Sequence, residues 1–113
     1  MDFEEVLKSR RSIRKYKNDI VSENIINKII DLSVNYSPSA KNLQPWRLMV
    51  VSNVVLKTKV VDCCKRNIFM CDAPYVIVAI ANQMEAYGVI GDYTKSDIMD
   101  LSILMTIFTL SAK

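Results

Sequence analysis

The sequence holds 113 residues, which is enough for one domain and too few for two. Hydrophobic residues make up 50% of it and charged residues 24%, the balance of an ordinary soluble globular protein. The longest nearly apolar stretch, Leu101 to Leu110, is about half as long as a membrane span. Acidic residues follow Met1, where a signal peptide would have a basic and then an apolar segment. We therefore expect a single cytoplasmic domain (residues 1–113) without a membrane partner.

The cysteine and histidine content excludes several kinds of site. The three cysteines, Cys63, Cys64 and Cys71, are crowded together and odd in number, which does not suggest a disulfide framework. The sequence has no histidine, so neither a metal site nor a histidine-based nucleophilic site is expected. Reduced thiols are the simple interpretation, and a redox-active thiol at Cys64 or Cys71 is the alternative.

Positive charge is concentrated near the start of the chain. The net charge is +3, yet six basic residues and no acidic residue lie between Lys8 and Lys17. The rest of the chain carries nine basic residues against twelve acidic ones. Such a local cluster predicts that an anionic group lies beside it.

Helix signals begin at the second residue. Asp2 and Glu5 have the spacing of a capping box, and apolar residues follow at helical spacing. An irregular or extended stretch is expected from Ser12 to Val21. Ser22 then predicts the N-cap of a second helix, which continues to about Tyr36.

The second half of the chain predicts two strands and two helices. The first strand is Arg47 to Ser52, and a helix from about Val54 to Arg66 follows it. Tyr75 to Ala81 is apolar throughout, as expected of an interior strand covered on both faces. The last helix starts near Ser96 and is apolar nearly all round, so it requires cover from another subunit or from a continuation of the chain.

Other familiar site motifs are missing from the sequence. Neither a Gly-x-Gly-x-x-Gly loop nor a Walker-type loop occurs. The acidic pairs Glu4 and Glu5, and Asp97 and Asp100, have the pattern of helix-surface residues. An enzyme with this sequence would therefore depend on a bound cofactor for its difficult step.

The basic cluster contains the first candidate binding segment. Arg10, Arg11, Ser12 and Arg14 place guanidinium groups and a hydroxyl at a spacing that can surround a phosphate. A helix end with solvated cations is an alternative. Nucleic-acid binding is a third interpretation, which the acidic remainder of the chain and the lack of a recognition motif disfavour.

The segment from Ser37 to Trp46 is the second candidate. Its short polar side chains can direct hydroxyl, amide and backbone donors at a planar heterocycle, and its prolines reduce the ordering entropy lost on binding. A connecting loop that satisfies its own backbone is the alternative. Trp46 alone is typical of a core residue.

These two segments, in this order, resemble the nitroreductase family of flavoproteins. Residues 10–16 are similar to the family's Arg-Arg-Ser-x-Arg-x-Tyr/Phe motif, and residues 38–46 to its Pro-Ser-x-x-Asn-x-Gln-Pro-Trp segment. Asp72-Ala73-Pro74 resembles its next landmark, and the final helix resembles the helix beyond it. The resemblance implies an α+β nitroreductase-like fold with a mixed β-sheet flanked by helices, of which the C-terminal portion is missing here.

The resemblance also implies a site for flavin mononucleotide (FMN) that has no catalytic side chain, because the flavin carries the chemistry. The residues implied to hold the phosphate and ribityl chain are Arg10, Ser12 and Arg14, with Arg11 beside them. Those implied to contact the flavin of the other subunit in a homodimer are Pro38, Ser39, Ala40, Asn42 and Gln44. Asn67 is the nearest candidate for a contact near the flavin pyrimidine ring.

The implied activity is that of an FMN-dependent oxidoreductase. NADH or NADPH reduces the flavin by hydride transfer, and the flavin reduces a nitroaromatic, a quinone or a similar small-molecule acceptor. Members of the family usually continue well past the position of Lys113. The alternative is therefore a truncated, non-catalytic remnant that binds flavin weakly or not at all.

Overall fold

The computed structural model describes residues 2–65 and 67–113. In order along the chain, the elements are α1 (Phe3–Ser9), α2 (Glu23–Tyr36), β1 (Trp46–Val51), α3 (Val54–Cys63), β2 (Val76–Ala81) and α4 (Asp97–Ser111). Short 3₁₀ helices lie at Ala40–Asn42 and Ile68–Asp72. The α+β class is confirmed.

The helix starts follow the local signals of the sequence. Asp2 and Glu5 form the predicted capping box, in which each side chain accepts a hydrogen bond from the other residue's backbone N–H. Ser22 is the N-cap of α2 as predicted, but its hydroxyl makes no capping hydrogen bond. Asn53 caps α3 by accepting a hydrogen bond of 3.1 Å from the Leu56 N–H.

Helix α3 ends at Cys63, earlier than the sequence predicts. Lys65 has a φ of 37°, in the left-handed region that a right-handed helix cannot contain. Arg66, the predicted last residue of the helix, lies outside the described residues.

The sheet pairs β1 and β2 as antiparallel strands, with Trp46 opposite Ala81 and Val51 opposite Val76. Over the described residues the sheet has two strands, so the parallel pairing of a mixed sheet does not occur in this part of the chain. The prediction of an interior β2 is wrong here for the same reason, and Ile80 is 42% exposed. The apolar pattern of β2 indicates burial, but among the described residues β1 is its one neighbouring strand.

The core lies where α4 packs against α2 and across the sheet. Leu104 of α4 is completely buried, and Trp46, Val61 and Val76 are the other buried hydrophobic residues. Trp46 is thus the core residue that the sequence predicts. The opposite side of α4 stays uncovered, since Ile98 is 70% exposed. No described helix is both long and apolar enough to cross a membrane.

Candidate functional site

The basic cluster lies at the mouth of a cavity of about 830 Å³. Arg10, Arg11 and Ser12 form its polar side. Its walls are mainly apolar and come from the extended segment, α2, β2 and α4; they include Ile13, Val21, Ile26, Ile29, Pro74, Tyr75, Ile77 and Phe108. Both the volume and the mixture of apolar walls with a few polar groups are typical of small-molecule sites.

Neighbouring arginines of the cluster have different roles. Helix α1 ends at Ser9, and Arg10 continues in extended conformation with a ψ of 136°. The Arg11 guanidinium donates to the carbonyl oxygens of Lys8 and Arg10, at 2.7 and 2.8 Å, and so caps the carboxyl end of α1. Arg10 is half-buried, and within the described residues its guanidinium has no hydrogen bond or ion pair. Arg14 is exposed and does not line the cavity.

Two contacts fix the extended segment that follows the cluster. The Tyr75 hydroxyl donates a hydrogen bond of 3.1 Å to the Val21 carbonyl. The Tyr16 ring packs against the Phe69 ring with 6.1 Å between their centroids. Both anchors come from the stretch of residues 69–75 that leads into β2.

The predicted loop has an unusual backbone. Lys41, Asn42 and Gln44 all have positive φ, at 51°, 54° and 51°. The Ser39 hydroxyl accepts a hydrogen bond from the Gln44 N–H at 3.0 Å, and the Gln44 amide donates to the Asn42 side chain at 3.1 Å. The loop therefore satisfies part of its own backbone, as the alternative interpretation expects.

The two candidate segments do not meet in a single chain. Arg10, Arg11 and Ser12 line the cavity, whereas Pro38, Ser39, Ala40, Asn42 and Gln44 do not. Asn67 also lies outside it, exposed, with its side-chain amide donating to the Cys64 carbonyl at 2.9 Å.

Asp97 and Asp100 are the residues that sequence reasoning placed incorrectly. They were expected on the helix surface, but they are only 8% and 4% exposed. One carboxylate oxygen of Asp100, Oδ1, accepts a hydrogen bond of 3.1 Å from the Ala40 N–H. Because this burial comes from a loop sixty residues earlier, the pattern of α4 alone contains no signal for it.

The three cysteines lie apart from the cavity. All three thiols are free, with Cys63 and Cys64 exposed and Cys71 partly buried. The described residues contain no group of side chains that could hold a metal ion.

Fold and cavity together define an α+β protein with a candidate anion-binding site. Residues 7–68, more than half of the chain, match the nitroreductase family. The chain belongs to the nitroreductase family.

Individual relatives agree with this assignment. The chain is 38% identical over 78 residues to a Methanothermobacter thermautotrophicus protein named for NADH dehydrogenase and NAD(P)H nitroreductase activity. This alignment covers 69% of this chain and 40% of that protein. A nitroreductase family protein of Clostridium novyi superposes with a TM-score of 0.87 at 29% identity, covering 98% of this chain and 63% of that one. A Desulfovibrio desulfuricans structure described as a nitroreductase in complex with FMN superposes with a TM-score of 0.80 at 21% identity. The superposition covers 96% of this chain and 60% of that one. The chain thus spans about 40% of the curated relative and under two thirds of the solved chains.

Proposed function

We propose that this chain binds FMN and serves in the cytoplasm as a subunit of an NAD(P)H-dependent oxidoreductase of the nitroreductase type. The observation that carries the proposal is Arg10. Arg10 is half-buried and lines an apolar-walled cavity, and its guanidinium has no partner within the described residues. A guanidinium in that setting suits a phosphate group, whose oxygens match its forked donors.

The residues of the cavity fit FMN by their chemistry. Arg10 and the Ser12 hydroxyl would hold the phosphate, with Arg11 and Arg14 adding positive charge beside it. The apolar walls would exclude water from the ring system. When bound, FMN supplies the redox chemistry, since it takes hydride from NADH or NADPH and reduces a nitroaromatic, a quinone or a similar acceptor.

The second half of the site is assigned to a partner subunit. Pro38, Ser39, Ala40, Asn42 and Gln44 lie away from the cavity of their own chain. In a homodimer, this loop would contact the flavin held by the other copy, and Asn67 would approach the pyrimidine ring. With FMN shared between two subunits, the basic cluster and the loop of residues 37–46 would not need to meet in one chain.

Titration with FMN tests the proposal directly. The wild-type protein should bind FMN and keep flavin absorbance through gel filtration. Arg10→Ala should weaken binding by roughly 1.5–3 kcal/mol, the scale of a charge-assisted hydrogen bond. Arg47→Ala is the matched control, because Arg47 is paired with Glu85 at 2.8 Å and does not line the cavity. Equal affinities for all three proteins would contradict the assignment of Arg10.

Turnover separates the enzyme from the non-catalytic alternative. NADH or NADPH oxidation with a quinone acceptor, measured on protein whose mass matches 113 residues, would support the enzyme. A colourless protein that gains no flavin signal at any FMN concentration would instead support the remnant.

A further inference from the structure

We propose that Asp100 is a positioning residue for the loop of residues 37–46, and that it acts through this loop on flavin binding. The proposal rests on the proposed function for its consequence, but the anchoring itself can be measured without flavin.

The geometry that carries the proposal is one long-range hydrogen bond from a buried carboxylate. Asp100 is 4% exposed, and its Oδ1 accepts from the Ala40 N–H at 3.1 Å. Asp100 lies in the first turn of α4, four residues before the fully buried Leu104. The carboxylate is therefore held on a helix that packs into the core, and Ala40 is bonded to it.

The loop needs an external anchor because its backbone is strained. Lys41, Asn42 and Gln44 occupy the left-handed region. Asparagine tolerates this region, but lysine and glutamine adopt it rarely and at a cost in free energy. Ala40 directly precedes this run. Without its bond to Asp100, the left-handed residues would relax toward more favourable conformations.

A second contact connects the loop to the same end of α4. The Lys41 ammonium lies 4.7 Å from the centroid of the Tyr87 ring. Tyr87 and Ser96 share two hydrogen bonds. The Tyr87 N–H donates to the Ser96 hydroxyl at 3.1 Å, and the Ser96 N–H donates to the Tyr87 carbonyl at 3.2 Å. Ser96 is the completely buried N-cap of α4. The contact of Ala40 with Asp100 and the contact of Lys41 with Tyr87 therefore both lead to the first turn of this helix.

Fold stability alone does not account for this carboxylate. Its other oxygen, Oδ2, is buried and has no hydrogen-bond partner in the described part of the chain. A buried polar oxygen without a hydrogen-bond partner is unfavourable relative to an apolar group of the same shape. An acidic residue in the first turn of α4 is favoured by the helix dipole, and Asp100 in addition holds Ala40 in position.

Amide hydrogen exchange on FMN-free protein tests the anchoring. Asp100→Ala should raise exchange at the Ala40 amide roughly tenfold, the scale of one hydrogen bond to a charged group. Asp100→Asn should restore protection, because its carbonyl oxygen still accepts the bond. Asp97→Ala is the control, since Asp97 is 8% exposed and in the same helical turn but has no hydrogen bond to the loop within the described residues. Unchanged protection in Asp100→Ala, or equal loss in Asp97→Ala, would overturn the proposal.

FMN titration of the same variants tests the consequence. The affinity for FMN should fall about fivefold or more in Asp100→Ala. In Asp100→Asn and Asp97→Ala it should stay within about twofold of the wild-type value. Faster exchange with unchanged affinity in Asp100→Ala would refute the action on flavin while leaving the proposed function intact. A wild-type protein that binds no FMN would refute the proposed function, and hydrogen exchange would then decide the anchoring alone.

If Asp100→Ala does not fold, Tyr87→Leu provides the deciding measurement. It removes the ring beneath Lys41 and keeps the backbone bonds to Ser96. Faster exchange at the Asn42 amide, which bonds to the Ser39 carbonyl at 2.9 Å, would support an anchor at the start of α4. No change there would overturn it.

Discussion

Neighbouring arginines in this chain are not equivalent, because the backbone gives each a different environment. Arg11 donates two hydrogen bonds to carbonyl oxygens at the end of α1, while Arg10 lines the cavity without a partner among the described residues. We predict that Arg11→Ala destabilises α1 by less than about 1 kcal/mol, as expected for an exposed hydrogen bond. Exchange at the α1 amides should rise, while FMN affinity should fall less than in Arg10→Ala. The reverse order of affinities would assign the phosphate to Arg11.

Residue roles were predictable where both partners are close in sequence. The capping box of Asp2 and Glu5 spans three residues, and its pattern identifies it. The bond from Ala40 to Asp100 spans sixty residues, and the same acidic spacing fits an exposed helix equally well. Lys57 is a similar case. It is nearly buried in α3, and its ammonium donates to the Ala73 carbonyl at 2.6 Å.

Helix caps give a prediction at the level of the element. Asn53 accepts the Leu56 N–H at the start of α3, whereas Ser22 occupies the same position in α2 with no such bond. We expect Asn53→Ala to lower the free energy of unfolding by about 1 kcal/mol. Ser22→Ala should lower it by no more than a few tenths, because no side-chain cap is lost. Urea unfolding monitored by circular dichroism measures the free energy of unfolding of both variants. Equal losses in the two would contradict a stabilising side-chain cap at Asn53.

Helix α4 supplies the second prediction at this level. Leu104 is completely buried against α2 and the sheet, so Leu104→Ala should cost about 2–5 kcal/mol, the usual range for a buried leucine. Thr106→Ala on the same helix is the control, because Thr106 is exposed and its hydroxyl bonds within the helix to Ser102. A loss below about 1 kcal/mol at Leu104 would contradict its place in the core.

Element types could be predicted because periodicity and caps are local, but the neighbours of the elements could not. The apolar run of β2 indicates burial without saying what covers it, and in the described chain β1 is its one neighbouring strand. The end of α3 depends on the left-handed Lys65, a conformation that the lysine side chain does not indicate. The cavity depends on how the extended segment, α2, β2 and α4 converge, which is a property of packing.

The whole molecule leaves one side of its central helix bare. Ile98 is 70% exposed and Met99 and Ile103 are each 40% exposed, although α4 also forms the core through Leu104. Large apolar side chains exposed on a helix that also forms the core are typical of a protein–protein interface. The proposed site requires a second copy of the chain, and this surface is where we expect that copy to bind.

Ile98→Lys tests this arrangement, because a charge in an apolar interface must be desolvated without a partner. The wild-type protein should sediment as a dimer that binds FMN, and Ile98→Lys should sediment as a monomer with FMN affinity reduced at least tenfold. The control is Met84→Lys, since Met84 is 86% exposed in a turn outside α4. Ile98→Lys should leave the melting temperature of the dilute monomer nearly unchanged, because the Ile98 side chain is already 70% exposed to water. A monomeric wild-type protein that binds FMN tightly would refute the shared site, since the loop of residues 37–46 could then play no part in holding the flavin.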